Sequence, residues 1–362
     1  MTAPRFAYDP MSEAAAHEVA QRLAFGPLLF QAVRLLASSG LLGALRSAAD
    51  AGAAPEDLGA PGLSPYAVSL LLEAGHAAGV VAPHEGRYRI TKVGLALLGD
   101  GAARVNVAFV HDVCYLGAHR LEDSLREARP AGLEALVAAS STATPPPATV
   151  YEALAHLPAA VRRSWFAFDH FYSDRAFPAA LPRLLARSPR HLLDVGGNTG
   201  RFALLALAAS PALRVTVADL PGQLAEAEAA FVAAGVGERT ALAPVDLLDP
   251  HAALPKGADA VWMSQLLSCF SLRQATGILR RAREAVAPGG RVFVLDTPWD
   301  QQRTAVARLC LQATSVYFAC IANGQSKMHG AAELRACIAE AGLTLEEEAT
   351  GLGASHTLWI CR

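Results

Sequence analysis

The chain has 362 residues, of which 52% are hydrophobic and 18% charged, with 31 Lys and Arg against 33 Asp and Glu. That length suits two or three domains, and the apolar share excludes bulk disorder. A net charge of −2 lacks the basic excess of a general nucleic-acid binder.

Met1–Pro10 carries no apolar segment of the kind a signal peptide needs. Phe25–Leu45 is the most apolar stretch, but Pro27, Gln31, Arg34, Gly40 and Gly43 interrupt it, so no membrane span is expected. Six cysteines lie scattered without a Cys-x-x-Cys pair. This argues against a metal site and for reduced thiols in a cytoplasm.

The first 100 residues read as a small helical domain. Glu18–Arg46 has Val19, Leu23, Leu28, Leu29, Val33, Leu36 and Leu41 at helical spacing. Ser64-Pro65 opens a second helix as N-cap and first-turn proline. Val80-Val81 and Arg87–Ile90 flank a Gly turn as two short strands. Helices followed by such a hairpin describe a winged helix, a unit used either on DNA or for dimerisation. Ser64–Gly79 contains no Lys or Arg, which favours dimerisation.

Residues 101–187 read as mostly helical, with an exposed Pro-rich loop at Ser140–Pro147. Trp165–Asp174 packs rings around an Asp169-His170 pair, either as core or as the lining of an aromatic pocket. From residue 188 to 362, strands at Arg190–Val195, Arg214–Ala218, Ala260–Ser264 and Arg291–Leu295 alternate with helices, predicting an α/β doubly wound sheet.

The sharpest local signal is Asp194-Val195-Gly196-Gly197-Asn198-Thr199-Gly200 at the first strand-to-helix turn. Glycines there let a ligand approach the backbone. Asp219 ends the next strand and suits the two hydroxyls of a ribose. A dinucleotide would bring phosphate to this turn, and Asp194 would repel it, whereas an ammonium group would be attracted. The charge argument therefore points to S-adenosyl-L-methionine (SAM). Asp246, after the third strand, suits an adenine amino group or a plain surface turn.

These residues resemble SAM-dependent small-molecule methyltransferases with an N-terminal winged-helix dimerisation domain. The resemblance spans nearly the whole chain. It rests on Gly86–Thr91 with Gly94, Leu193–Gly200, Asp219-Leu220-Pro221, Gly289–Val292 and Ala341-Gly342-Leu343. It implies a Rossmann-like class I domain with a seven-stranded sheet, and a homodimer formed through the N-terminal domain. It implies no nucleic acid and no membrane as partner. The cofactor would be SAM, with S-adenosyl-L-homocysteine (SAH) as product. The residues expected to hold it are Asp194, Gly196, Gly197, Asn198, Asp219, Leu220, Asp246, Leu247, Ser264 and Gln265.

One departure bears on mechanism. The family carries a histidine base after its fourth strand; here Ser268 takes that place and Phe270 that of a tryptophan. One of the acids that steer the histidine is retained as Asp296, while Ser326 stands at the other. A serine at its ordinary pKa is no base near neutral pH. Either another residue supplies the base, or the acceptor is a carbon, or orientation supplies up to ~7–11 kcal/mol by itself. The resemblance places His111, His119, Asp169, His170, Asp296 and His329 around the acceptor. His111, His170, Asp296 and His329 are the expected catalytic set.

Phe168–Asp174 and Ser264–Phe270 are similar to a bacterial subgroup associated with aromatic natural products. This implies a 4-hydroxyphenyl acceptor methylated at the ring carbon ortho to its hydroxyl. The alternatives are O-methylation with a non-standard base, a non-catalytic ligand-binding regulator that uses the winged helix on DNA, and an NAD-dependent oxidoreductase.

Overall fold

The computed structural model describes residues 9–138 and 147–362. The expected Pro-rich loop lies outside the described residues except at Pro147. The chain forms two compact units, Met1–His111 and Asp112–Arg362.

In the first unit, Ser12 caps α1 (Glu13–Ser38) by accepting from the Ala15 amide. The single apolar stretch expected over Glu18–Arg46 breaks at Gly40, whose φ of +90° ends one helix and admits α2 (Leu41–Ala48). Only the later part of that stretch is core: Leu36, Leu41, Leu42 and Leu45 are buried, while Leu23 and Leu28 are 75% and 70% exposed. Ser64 and Pro65 open α3 (Pro65–Ala77) as the sequence predicts. The strands β1 (Val81–His84) and β2 (Arg87–Ile90) pair antiparallel around Glu85-Gly86, both at positive φ. The Arg87 side chain of this wing donates to the Ala51 and Gly52 carbonyls. Thr91 caps α4 (Lys92–Gly99), which α5 (Gly101–Phe109) follows.

The second unit begins with short helices α6 (Leu121–Glu127), α7 (Leu133–Val137) and α8 (Val150–Ala153) and the long α9 (Ala159–Leu185). Alternation then follows: β3 (His191–Val195), α10 (Arg201–Ala209), β4 (Arg214–Asp219), α11 (Pro221–Ala233), β5 (Thr240–Pro244), β6 (Ala258–Ser264), α12 (Leu272–Ala285) and β7 (Val286–Asp296). The chain ends with α13 (Ala305–Tyr317), α14 (Ala331–Glu340), β8 (Leu345–Leu352) and β9 (His356–Cys361).

These strands form one seven-stranded sheet in the order β5-β4-β3-β6-β7-β9-β8. β3 to β7 run parallel, β9 runs against them, and β8, antiparallel to β9, runs with them again. Near-continuous apolar strands such as β6 are buried on both faces, as parallel sheets require. One core joins the sheet to α12 and α14. The other joins it to α9, α10 and α11, with Trp262 stacked on Phe202. The strand order reverses between β3 and β6, and open α/β sheets bind ligands at the carboxyl ends flanking such a switch.

All six cysteines are unbridged. One helical segment, Ala305–Ala322, is long and apolar enough to cross a membrane by length and composition, with a mean hydropathy of 1.5. It escapes a search for uninterrupted apolar runs because Arg308, Gln312, Thr314 and Ser315 lie within it. Its last turn packs into the second unit, where the Gly132 amide donates to the Cys320 carbonyl at 2.9 Å. Two bent helix pairs pass the same test only when each is counted as one span.

Candidate cofactor and acceptor site

β3 ends in a turn that a chain of ordinary residues cannot make. Gly196, Asn198 and Gly200 all have positive φ, at 70°, 51° and 75°. The turn is fastened to the end of β4: the Asn198 amide donates to Asp219 Oδ2 at 2.8 Å and the Leu220 amide to Oδ1 at 2.7 Å.

Asp194 is 2% exposed, and its Oδ2 has no hydrogen-bond partner among the described residues. Burial, with the charge of Asp219 adding to it, pushes the Asp194 carboxyl up to about 8. Burial pushes Asp219 up to about 6, against the two amides that hold its ionised form. A buried acid without a donor is relieved by an ammonium and made worse by a phosphate. The residues present therefore fit SAM and do not fit a pyrophosphate.

Gly197 completes the cradle. A Cβ there would stand 2.8 Å from both Asp194 Oδ2 and Val217 Cγ1. Gly197→Ala is thus expected to push the Asp194 carboxylate aside and weaken SAH binding about tenfold or more, at a stability cost of about 1–3 kcal/mol. Calorimetry and urea unfolding check the two effects; unchanged SAH affinity would remove Asp194 from the site.

The remaining expected cofactor residues line the same strand ends. Ser264 closes β6, and its hydroxyl oxygen is buried without a partner among the described residues. Gln265 follows at φ +51°, its amide donating to the Leu295 carbonyl. Leu247 is buried, whereas Asp246 is exposed and accepts from the Leu248 amide as a turn residue.

The expected catalytic residues are not gathered into one cluster. The Ser268 hydroxyl donates to Asp296 Oδ1 at 2.9 Å, and the amides of Ser268 and Thr297 also donate to this carboxylate. Burial raises the Asp296 pKa, opposed by these donors and by His329. His329 is 2% exposed, and its Nε2 lies 2.9 Å from the Phe270 carbonyl, so that nitrogen carries the proton. Its Nδ1 and the Ser326 hydroxyl have no partner among the described residues. His111 is the last residue of the first unit. His119 is exposed and bonded to the Leu116 carbonyl.

The aromatic segment of α9 divides between the two readings open for it. Trp165 is core, donating to the Tyr317 hydroxyl at 2.8 Å. Phe166, Asp169 and His170 are half-buried, with the Phe166 and His170 rings stacked. His170 lies 3.3 Å from the Thr199 hydroxyl of the glycine turn. Burial, followed by the charge of Arg201, lowers His170 to about 4. Asp169 accepts from Gln265 Nε2 at 2.9 Å and from Asn198 Nδ2 at 3.4 Å. Gln265 Oε1 in turn lies 2.7 Å from His356 Nε2. Sequence reading missed His356, since nothing in a fully buried strand marks one polar residue as functional.

A seven-stranded sheet with one reversed strand in its C-terminal hairpin, and a buried acid and a ribose-type acid at its switch point, defines a class I SAM-dependent methyltransferase. Residues 183–344 match the family model of the O-methyltransferase domain, and residues 17–88 match that of a Dimerisation2-like domain. The chain thus carries an O-methyltransferase domain preceded by a Dimerisation2-like domain.

The chain is similar to aclacinomycin 10-hydroxylase RdmB of Streptomyces purpurascens, at 40% identity over 34% of this chain and 32% of that protein. The shared stretch is thus a third of the hydroxylase's length. It is 24% identical to L-tyrosine C(3)-methyltransferase of Streptomyces lavendulae over 79% of this chain and 75% of that one. The solved structure of the SAM-dependent methyltransferase SibL superposes with a TM-score of 0.67 at 26% identity, covering 95% of this chain and 98% of SibL.

Proposed function

We infer that the protein transfers a methyl group from SAM to a small 4-hydroxyphenyl acceptor of natural-product biosynthesis, at the ring carbon ortho to the hydroxyl. The observation that carries this reading is the unpartnered Asp194 oxygen, buried beside Asp219 at the strand ends. The acceptor class is supported by the half-buried rings of α9 and by the relative named for C(3)-methylation of L-tyrosine.

Bound SAM supplies a methyl group on a sulfonium that departs as a neutral thioether. Asp194 holds the ammonium, Asp219 the ribose hydroxyls, and the Gly196–Gly200 turn admits the ligand to the backbone. The Ser268 hydroxyl donates its hydrogen bond to Asp296, so this pair supplies no base of its own. O-methylation is the second reading, favoured by the family model over residues 183–344.

The test is labelled SAM with a panel of phenols that includes L-tyrosine. Loss of one ring proton with the hydroxyl kept identifies carbon; loss of the hydroxyl proton identifies oxygen. A product gaining an oxygen atom would instead align the protein with its hydroxylase relative. No transfer to any phenol, with SAH bound, would overturn the reading.

The exposed apolar residues Leu23, Phe25 and Leu28 of α1 support a homodimer through the first unit, to be checked by sedimentation. The unbridged cysteines support a reducing cytoplasm.

A further inference from the structure

We propose that Asp169 takes up the acceptor's phenolic proton, and that His356, acting through Gln265, is the positioning residue that holds this carboxylate in its ionised form. The proposal rests on the methyl-transfer reading for its acceptor, but the link from His356 to Asp169 stands on geometry alone.

Three segments far apart in the chain meet here. Asp169 lies on α9, Gln265 follows β6, and His356 opens β9. An amide oxygen only accepts hydrogen bonds, so the 2.7 Å contact with Gln265 Oε1 requires the His356 proton to sit on Nε2. The ring proton and the amide direction are tied to each other: with Oε1 toward His356, Gln265 presents its N–H to Asp169 Oδ1. Turned the other way, the amide oxygen would face the carboxylate and repel it.

His356 has 0% exposure and its Nδ1 has no partner among the described residues. Burial pushes the ring down to about 3, so it stays neutral and keeps one tautomer at working pH. An apolar side chain would fill this place in a buried strand without leaving a polar atom unsatisfied. The contact to Gln265 is what the histidine adds. Gln265 itself sits at φ +51°, a conformation that persists where surrounding contacts hold it.

Asp169 is the acid suited to the proton. Its side chain is 27% exposed. Burial raises it to about 6, against the donors Gln265 and Asn198. The groups acting on it are His170, 4.0 Å away, and Asp174 on its own helix, Arg201 from α10, and Cys269, Tyr151 and Tyr317 from the elements around it. A carboxylate titrating just below neutrality is the strongest base of its kind still ionised there. The other candidates are worse placed: His170 is lowered further, His329 is closed off, and Asp296 already accepts from Ser268.

The protons balance on this one group. The phenol O–H bond breaks and its proton passes to an Asp169 oxygen as the ring carbon takes the methyl. Asp169 then returns that proton to the oxygen, takes the displaced ring proton, and releases it to water.

The test combines carboxyl NMR with pH–rate profiles on the full chain. In protein carrying 13C-labelled aspartate, the Asp169 signal is assigned by its loss in Asp169→Asn. Its inflection is expected to move upward by about one unit or more in His356→Leu and in His356→Phe, with circular dichroism as the check on folding. Should His356→Leu fail to fold, His356→Phe decides. The acid limb of kcat/KM is expected to move with the NMR inflection, which a purely structural role would not do. Asp169→Asn is expected to lower kcat by about 10²–10⁴-fold with SAH affinity retained.

An inflection unmoved in the folded variants overturns the positioning role. Asp169→Asn within a few-fold of the parent kcat overturns the base. If the parent transfers methyl to no phenol, the acceptor reading and the base fall together, while the NMR shift still decides the link.

Discussion

Asp194→Asn is expected to weaken SAH binding by about 10²–10³-fold, the equivalent of about 3–4 kcal/mol, because a buried ammonium would then lose its charged partner. The same change is expected to stabilise the ligand-free protein at alkaline pH. Asp194 is raised to about 8 in the fold, from an ordinary 3.8, by burial and by Asp219. The folded chain therefore keeps a proton that the unfolded chain has already released. Its contribution to stability is complete below the unfolded value and is lost as pH rises through the folded one. Asparagine has no such loss, so the variant should gain on the parent between pH ~4 and ~8 and lead by a few kcal/mol above that. Urea unfolding at several pH values checks the crossover; parallel curves would show that Asp194 is not an isolated buried acid. The ammonium of the ligand draws the acid back toward ionisation. SAH binding near neutral pH should then release about one proton, read as a buffer-dependent heat.

Trp262→Ala is the substitution with the largest effect on the fold. Trp262 is fully buried on β6, at the centre of the sheet, and stacks on Phe202 with centroids 3.8 Å apart. Its loss should cost about 3–5 kcal/mol, from transferred area and the cavity left behind. Trp262 is the register partner of Asp194 on β3, so the loosened sheet should also lower SAH affinity. Trp262→Phe keeps the stacking and removes an indole N–H that has no partner among the described residues, and should cost far less. Chemical denaturation with SAH titration checks both variants. A small loss for Trp262→Ala would mean that the sheet collapses around the gap.

What was legible in the sequence is what local physics encodes. The Ser64-Pro65 helix start, the Gly86 hairpin and the strand–helix alternation each follow from spacing or from one turn residue. The glycine turn with Asp194 and Asp219 was readable because strand ends and βα turns lie close in sequence. The break at Gly40 was not, since a glycine within an apolar helical pattern is tolerated as often as it ends a helix. The absence of a histidine at Ser268 was readable too, but not the fate of the serine, whose hydroxyl donates to Asp296.

The set of groups around Asp169 belongs to tertiary structure alone. Gln265 lies 96 residues from Asp169 and 91 from His356; strand pairing brings it to His356, and the packing of α9 on the sheet brings Asp169. No periodicity records a hydrogen bond between such segments. Its direction depends on which nitrogen of a buried ring holds the proton, and that follows from the neighbour the fold provides. The chain's own pattern thus determined the sheet, its switch point and the charge of the cofactor site. Packing decided which acid stays partly exposed with two side-chain donors on it, because desolvation and hydrogen bonding exist only once the segments have met.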